Sequence, residues 1–466
     1  MSSGAWSAGV LRGHSGRCPH RMWTISAKPP PPLRQPSNPD YPNLTHAVTM
    51  AVTLEQVNSM IIEEYRMLPR RTAASGSASA EFNYYTHGDF VTSIDWMWHR
   101  CRTGIAVCIR GGELALFVPF CNPHYRNTWS DQARSRVPAI GLPPDMWWSN
   151  GWTLCGDAVS DQLWTDNGVC AILNMIMSAC QDGIMSDCDF IINKRDSAVV
   201  RHDRCDALNP MDTYQDPMRM PNLVPVLSLY TGDQFADVAM PLPVDWQRLT
   251  RGTFKGQRPQ ACAARPKEVP WETKADCAVF RGSLTGTGGC PLTNQRMALL
   301  QRHDGVRLDL RGTGMNRRLR YCPLKKRVVI PQGIDNVGKH HMIQLHEQQS
   351  QYRYAVTADG HSGADRLASL MGGNQCILKI DPPAHSLCPD TWASLRMHAW
   401  EHYVPVRYDL SDIEHNLEWA RRSPEATKRL RQNNQEWARV ERRAILEWWV
   451  QASADMSSLM PFHSQS

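Results

Sequence analysis

No stretch of the 466-residue sequence approaches the roughly 18 consecutive apolar residues that a membrane-spanning helix needs. Nor is there a signal-type apolar run near the start. Met1 to Arg21 is rich in Ser and Gly, with His14, Arg17 and His20 scattered through it. Pro461 to Ser466 is not a KDEL-type retention signal. A cytoplasmic location is the expectation from these absences. The sequence has 15 cysteines but no Cys-x-x-Cys pair, the closest being Cys101/Cys108 and Cys180/Cys188. That spacing gives a thiolate zinc site no support, and buried free thiols are expected instead. His-Glu-x-x-His, Gly-x-Gly-x-x-Gly, a Gly-Lys-Ser/Thr P-loop and Gly-x-Ser-x-Gly are all missing. The common zinc-protease, dinucleotide, nucleotide-triphosphatase and serine-hydrolase signatures are therefore excluded. His340-His341 and His346-Glu347 lack metal-ligand spacing, and adjacent histidines on a strand point to opposite sides, so no metal is expected.

What is present is globular. Hydrophobic residues make up 42% and charged residues 21%, and the length exceeds what one core organises, so two or three domains are expected. A net charge of +6 suits an anionic ligand but is no strong nucleic-acid signature. The 17 Trp are mostly expected in the core.

Periodicity organises the chain. Residues 1–45, with Pro29 to Pro32, read as an extended tail. A helix is expected over 52–69 and a small-residue loop over 72–80. Ile105–Ile109 and Leu114–Val118, joined through Gly111-Gly112, predict a hairpin. A helix over 167–183, a strand over 189–193 and a strand over 224–229 follow. The pattern then restarts: strands at 277–280, 327–330, 354–356 and 375–380, with helices at 292–302 and from 365. Alternation of this kind predicts an α/β architecture with parallel sheets. Ser411 to Glu414 predicts a capping box. Ser423-Pro424 opens a long helix whose apolar stripe is expected to be Trp437, Val440, Ala444 and Trp448.

In open α/β sheets ligands bind beyond the carboxyl ends of the strands. Three such ends carry polar residues: 193–196, 281–283 and 359–366. Arg281-Gly282-Ser283 combines a fixed cation, a backbone open to close approach and a hydroxyl donor, though a plain turn reads the same way. His361-Ser362-Gly363-Ala364-Asp365-Arg366 precedes a helical run. A cation in a first helical turn opposes the helix dipole, which suggests a compensating anion; the alternative is an ordinary surface arginine. Asp196, at the end of Phe190-Ile191-Ile192-Asn193-Lys194-Arg195, is a candidate general base or else part of a solvated charged turn. Lys194 and Arg195 beside it favour its ionised form, which weakens a base unless burial opposes them.

Taken together and in order, these segments resemble glycosyltransferase family 90, the capsule-associated and KDEL-motif family that includes protein O-glucosyltransferases. The resemblance rests on Phe190 to Asp196, on Val224 to Ser228 with Phe235 to Pro241, and on Phe280 to Ser283 with Asn294 to Arg296. It continues in Tyr352 to Tyr354, Asp359 to Arg366, His402 to Val406 and Asp409 to Ser411. It implies a GT-B fold: two Rossmann-like domains facing a cleft, with a C-terminal crossing helix. The expected divisions are a tail at 1–48, an acceptor-side domain at 49–242, a donor domain at 243–422 and a terminal helix at 423–466. It further implies inverting, metal-independent transfer of a hexose or pentose from a UDP-sugar, such as UDP-glucose or UDP-xylose, to a protein or glycan hydroxyl. By motif position Asp196 is the implied base. Ser283 and Arg296 are implied nucleotide contacts, and His361 to Arg366 the diphosphate cradle with Arg366 its main cation. Arg281 is an implied support. Two other readings stand beside this one: a non-catalytic sugar or nucleotide module on the same fold, and a basic nucleic-acid binder using 248–258 and 316–327. Acceptor recognition is expected between Asp237 and Trp271.

Overall fold

The computed structural model describes residues 87–101, 103–121, 167–181, 185–200, 224–250 and most of 269–458. Within the last stretch, 287–290, 293, 315–320, 323–326, 329–333, 335, 383–385 and 387 are excepted. The expected tail, the helix at 52–69, the loop at 72–80 and the segment 251–268 lie outside the described residues.

Helix α1 (His87–Trp96) runs into a π-helical turn, Met97–Cys101, and then into strand β1 (Thr103–Arg110). β1 pairs antiparallel with β2 (Glu113–Cys121). Gly111 (φ 59°) and Gly112 (φ 81°) both take the left-handed region, as a two-residue turn matching strand twist requires. Helix α2 (Asn167–Gln181) precedes β3 (Cys188–Asn193), whose six residues are all buried. β4 (Val226–Ser228), β5 (Val238–Ala239) and helix α3 (Pro243–Thr250) complete this half. The strand order is β2-β1-β3-β4-β5. β3, β4 and β5 are parallel, while β1 is antiparallel to both neighbours. The first sheet is thus mixed, because a hairpin turn can join only antiparallel strands.

The second half is regular. β6 (Ala275–Ser283), helix α4 (Gln295–Leu300) and β7 (Leu308–Gly314) come first. β8 (Tyr321–Cys322) and β9 (Arg327–Val328) form a separate small antiparallel pair, so the strand expected at 327–330 does not join the sheet. Helix α5 (Leu345–Gln351), β10 (Tyr352–Thr357), the five-residue helix α6 (Leu367–Met371), β11 (Cys376–Ile380) and β12 (Val404–Val406) follow. The order is β12-β11-β10-β6-β7, all parallel. β6 leads outward to β7, whereas β10 leads the other way to β11 and β12. The order therefore reverses between β6 and β10, and their two outgoing loops diverge there, the kind of switch point at which open α/β sheets bind ligands.

Helices α7 (Ile413–Arg422) and α8 (Pro424–Ser458) close the chain. The capping box expected at Ser411 does not form. Asp412 occupies the N-cap, and its carboxylate accepts the Arg407 amide at 2.9 Å instead of capping the helix. α8 packs against α2 and β3 of one sheet and α6 and β11 of the other. Its buried stripe is Leu430, Asn434, Glu441, Ile445, Trp449, Ala452 and Met456, while Val440 is exposed. The expected stripe is rotated because two polar residues, Asn434 and Glu441, take core-facing positions that an apolar count passes over. Glu441 is matched by Arg248 from α3, whose Nη2 lies 2.5 Å from Oε1. One apolar cluster runs from Ile105 and Phe190 through Trp246 to Leu367, Ile377 and Trp449, so residues of both sheets share it.

The described cysteines Cys101, Cys108, Cys180, Cys188, Cys277, Cys376 and Cys388 are free thiols, and all but Cys180 are buried. No described helix is long and apolar enough to cross a membrane.

Candidate active site

The reversal between β6 and β10 brings two of the three polar strand ends side by side. Arg296, second residue of α4, brackets them. Its Nη1 donates to the Ser283 carbonyl at 2.9 Å and to Thr285 Oγ1 at 2.6 Å. On the other side its Nε donates to the Asp359 carbonyl at 3.0 Å and its Nη2 to the Ala358 carbonyl at 3.0 Å. Burial, and then the charge of Arg366, lower its pKa to about 10. Most of its donors are already engaged with protein, so its geometry is that of a clamp joining the two strand ends. Gly360 lies against this clamp: a Cβ there would meet Thr285 Oγ1 at 2.7 Å.

The loop from Asp359 to Arg366 is shaped by its own backbone. The Gly360 amide donates to the Ser362 carbonyl at 2.9 Å, and the Gly363 amide to the Cys388 carbonyl at 2.9 Å. The buried Asp359 accepts the Ala364 amide at 2.9 Å. The amides of Ser362, Asp365 and Arg366 make no hydrogen bond among the described residues, which leaves them as donors for an anion. Arg366 occupies the N-cap position of α6. A helix of five residues has little dipole, so the expected conflict between Arg366 and a helix start is small. Its guanidinium folds back instead, donating to the Arg281 carbonyl and lying 5.7 Å from the Phe280 ring centroid. Arg296 approaches the same ring at 6.0 Å. Burial lowers the pKa of Arg366, while the neighbouring Asp365, which is exposed, acts the other way. His361 is half-buried and Ser362 buried in the same loop.

Gly363 is a tight point. A Cβ there would lie 2.5 Å from the Pro389 carbonyl oxygen, a backbone atom that cannot swing away. Gly363→Ala is expected to cost about 1–3 kcal/mol by overpacking. A thermal melt reads this as a lower Tm; an unchanged Tm would show that the 388–391 segment yields freely.

Arg281 points elsewhere. Its Nη2 pairs with Asp309 Oδ2 at 2.5 Å and its Nη1 donates to the Asp309 carbonyl at 2.6 Å. Tyr352 and Arg311 also bond Asp309, at 3.0 and 2.7 Å. Arg281 thus ties β6 to β7, and only its main-chain carbonyl meets Arg366. Ser283 ends β6 and is exposed, with its carbonyl on Arg296.

The third strand end comes from the first sheet. Asp196 is exposed on the turn after β3. Its neighbour Arg195 is buried and turned away, donating to the Cys101 carbonyl at 3.3 Å. The turn reaches the second half through the 388–391 segment. The Ala198 amide donates to Cys388 Sγ at 3.4 Å, and Thr231 and Asp390 exchange backbone bonds of 2.9 and 3.0 Å. Cys388 therefore touches both the Asp196 turn and, through its carbonyl, Gly363. Tyr230, just past β4, registers the same proximity. Burial first, then the charges of Asp196, Asp365 and Asp245, push its phenol far above its usual range, with Arg296 opposing.

Sequence reasoning missed Tyr230, Thr285 and the 388–391 segment. Tyr230 had a usable signal, since it follows a strand end just as Asp196 does. The clamp partner Thr285 and the Cys388 link had none. His340 and His341 sit in a 3-10 turn, Lys339–His341, with ring centroids 3.9 Å apart, and not on a strand. No group of three or more His, Cys, Asp or Glu side chains suited to a metal occurs among the described residues. Of the basic run 248–258, Arg248 is engaged by Glu441, and 251–258 lie outside the described residues. Within 316–327, only 321, 322 and 327 belong to the described backbone.

The family model described as Glycosyl transferase family 90 matches residues 158–465. The uncharacterized protein 035R of Invertebrate iridescent virus 3 is 29% identical over 404 residues, covering 76% of this chain and 35% of that protein. The chain thus spans about a third of that curated relative. Human protein O-glucosyltransferase 3 is 33% identical over 88 residues, 19% of this chain and 16% of that one. The O-glucosyltransferase LpsA of Dichelobacter nodosus is 31% identical over 105 residues, 22% of this chain and 31% of that one. The family match begins after the β1–β2 hairpin and runs through β3, the whole second sheet and α8. On that extent, the chain belongs to glycosyl transferase family 90.

Proposed function

We propose that the chain is an inverting glycosyltransferase that moves a hexose or pentose from a UDP-sugar to a hydroxyl of a protein or glycan. The observation that carries this reading is the switch point between β6 and β10, with Arg366 and the open amides of the 359–366 loop on one side. The Asp196 turn of the first sheet reaches that loop through Cys388, whose Sγ accepts the Ala198 amide and whose carbonyl accepts the Gly363 amide. The names of the short-range relatives, both O-glucosyltransferases, support glucose as the sugar. The two sheets and the crossing α8 are compatible with a GT-B arrangement, split at 243 and again at 423, with the donor on the second half.

In this reading the diphosphate lies on the amides of Ser362, Asp365 and Arg366 and on the Arg366 guanidinium. Arg296 fixes both loops beside it. Asp196 takes the proton of the acceptor hydroxyl as that oxygen bonds to the anomeric carbon. The bond from that carbon to the β-phosphate oxygen breaks, and its electron pair leaves with UDP. Attack and departure on opposite faces invert the centre, so one carboxylate suffices. The positive charge opposing the leaving group comes from arginine and main chain, which makes the transfer independent of a divalent ion.

A thermal-shift panel of UDP, UDP-glucose, UDP-xylose and RNA tests this. UDP-sugars are expected to raise Tm by several degrees at saturation, RNA not at all, and UDP release from the donor to persist in EDTA. Stabilisation by RNA alone would overturn the reading; a strict Mn²⁺ requirement would overturn its metal-free chemistry.

A further inference from the structure

The turn that carries Asp196 has no regular structure, so its shape depends on what grips its backbone. Two side chains do. Asn193, the last residue of β3, donates through Nδ2 to the Ser197 carbonyl at 2.6 Å and to Ser228 Oγ at 3.0 Å. Its Oδ1 accepts the Arg195 amide at 3.0 Å. On the far side of the turn stands Asp237. Its Oδ1 accepts the Val199 amide at 2.9 Å and its Oδ2 the Val200 amide at 2.7 Å. The Ser228 hydroxyl donates to Asp237 Oδ1 at 2.5 Å, joining the two grips into one network. The Ala236 amide donates to the Val200 carbonyl at 2.7 Å, and Thr231 Oγ1 to the Asp237 carbonyl at 3.3 Å.

Both carboxylate oxygens of Asp237 are therefore engaged by the two residues that follow the Asp196 turn and by β4. Only 6% of the residue is exposed, and its carboxylate is turned to these protein donors. It has no ion pair among the described residues. A buried carboxylate without a cation is an expensive way to hold two amides and a hydroxyl. What it supplies over a neutral group is acceptor capacity: ionised, it is acceptor-only and can take all three donors at once. An amide in its place has one oxygen, and its NH₂ would face a backbone N–H.

We propose that Asp237 is the positioning residue of Asp196, its ionised carboxylate setting the turn that aims the base. This rests on the reading of Asp196 as the base. The titration of Asp237 supports it. The groups that shift it are burial, first, which raises its pKa to about 6, opposed by the Ser228 hydroxyl and the amides of Val199, Val200 and Asp237 itself. None of them is charged. The sign then separates two roles. With the folded pKa above the unfolded one, the folded chain holds this proton more tightly, so the group's stability contribution falls as pH rises toward about 6. Aiming the base runs the other way, because only the ionised form accepts all three donors. A merely structural role would move stability and turnover together; a positioning role moves them oppositely through that range.

The test uses Asp237→Asn, Asp196→Asn and the double variant, with UDP release from UDP-glucose as the assay. Asp237→Asn is expected to lower kcat about 10- to 100-fold with little change in KM, and to remove an acid limb near the Asp237 ionisation. The double variant is expected to be no slower than Asp196→Asn, because Asp237 acts only through Asp196. Amide exchange at Val199 and Val200 is expected to quicken while β10 stays protected. Wild-type kcat in Asp237→Asn, or losses that multiply in the double variant, overturns the positioning role and leaves the base reading standing. Wild-type turnover in Asp196→Asn overturns the base reading and the inference with it. Should Asp237→Asn fail to fold, Ser228→Ala removes only the hydroxyl joining the grips, with a several-fold loss of kcat expected. If the wild-type chain does not turn over UDP-glucose, the exchange arm still decides: unchanged exchange at Val199 and Val200 overturns the clamp.

Discussion

Asp196→Asn is expected to lower kcat for glycosyl transfer by about 10²- to 10⁴-fold while leaving UDP affinity at its wild-type value. Asparagine matches aspartate in shape but cannot take a proton. Asp196 is exposed, and Asn193, Asp237 and Cys388 bond the backbone around it. The fold is therefore expected to survive the change, with Tm close to wild type. UDP affinity is expected to survive because the proposed diphosphate contacts lie on the second sheet. A binding module would show no turnover in either form, and an enzyme with another base would show full turnover in both. Transfer assays beside calorimetric titration with UDP separate the three cases.

Arg366→Ala is expected to lose both binding and turnover. Removing a charge-assisted contact to a diphosphate costs about 1.5–3 kcal/mol, or roughly 10- to 150-fold in UDP affinity. Turnover is expected to fall further, since charge on the β-phosphate grows as the glycosidic bond breaks. Stability is expected to move differently. The lowered pKa of Arg366 reports a cation held in a poorly solvated place, with the Arg281 carbonyl and the Phe280 ring as company. Truncation removes that desolvated charge, so the ligand-free Tm is expected to stay level or rise, while the Tm increase given by UDP disappears. Arg366→Lys keeps the charge but loses the planar fork, and an intermediate affinity is expected. Undiminished UDP binding in Arg366→Ala would remove this residue from the donor site.

The residues that act locally were legible from the sequence. Gly111-Gly112 between two alternating runs specifies the β1–β2 hairpin, because few residues other than glycine accept two successive left-handed conformations. The runs at 189–193, 354–356 and 375–380 read as strands, and the structure forms strands there, Cys188–Asn193, Tyr352–Thr357 and Cys376–Ile380. Ser423-Pro424 marks the start of α8 within a residue. At the site, the strand-end rule picked out Asp196, Arg281 to Ser283 and the 359–366 loop from residue order alone. Arg296 came from the family motif, and nothing in its local sequence says that it clamps two loops.

The amino-acid sequence by itself determined the element types, the alternation that makes the chain α/β, and the family. These follow from short-range properties: period, turn chemistry and motif order. Only the tertiary structure decided the strand order that reverses between β6 and β10, the rotation of α8 that buries Glu441 beside Arg248, and the grip of Asp237 on the Asp196 turn. Each depends on a partner from a distant segment: Ala358 for Arg296, Glu441 for Arg248, Val199 for Asp237. A buried polar side chain is stable only where its partner arrives, and pairing through space leaves no periodic trace along the chain.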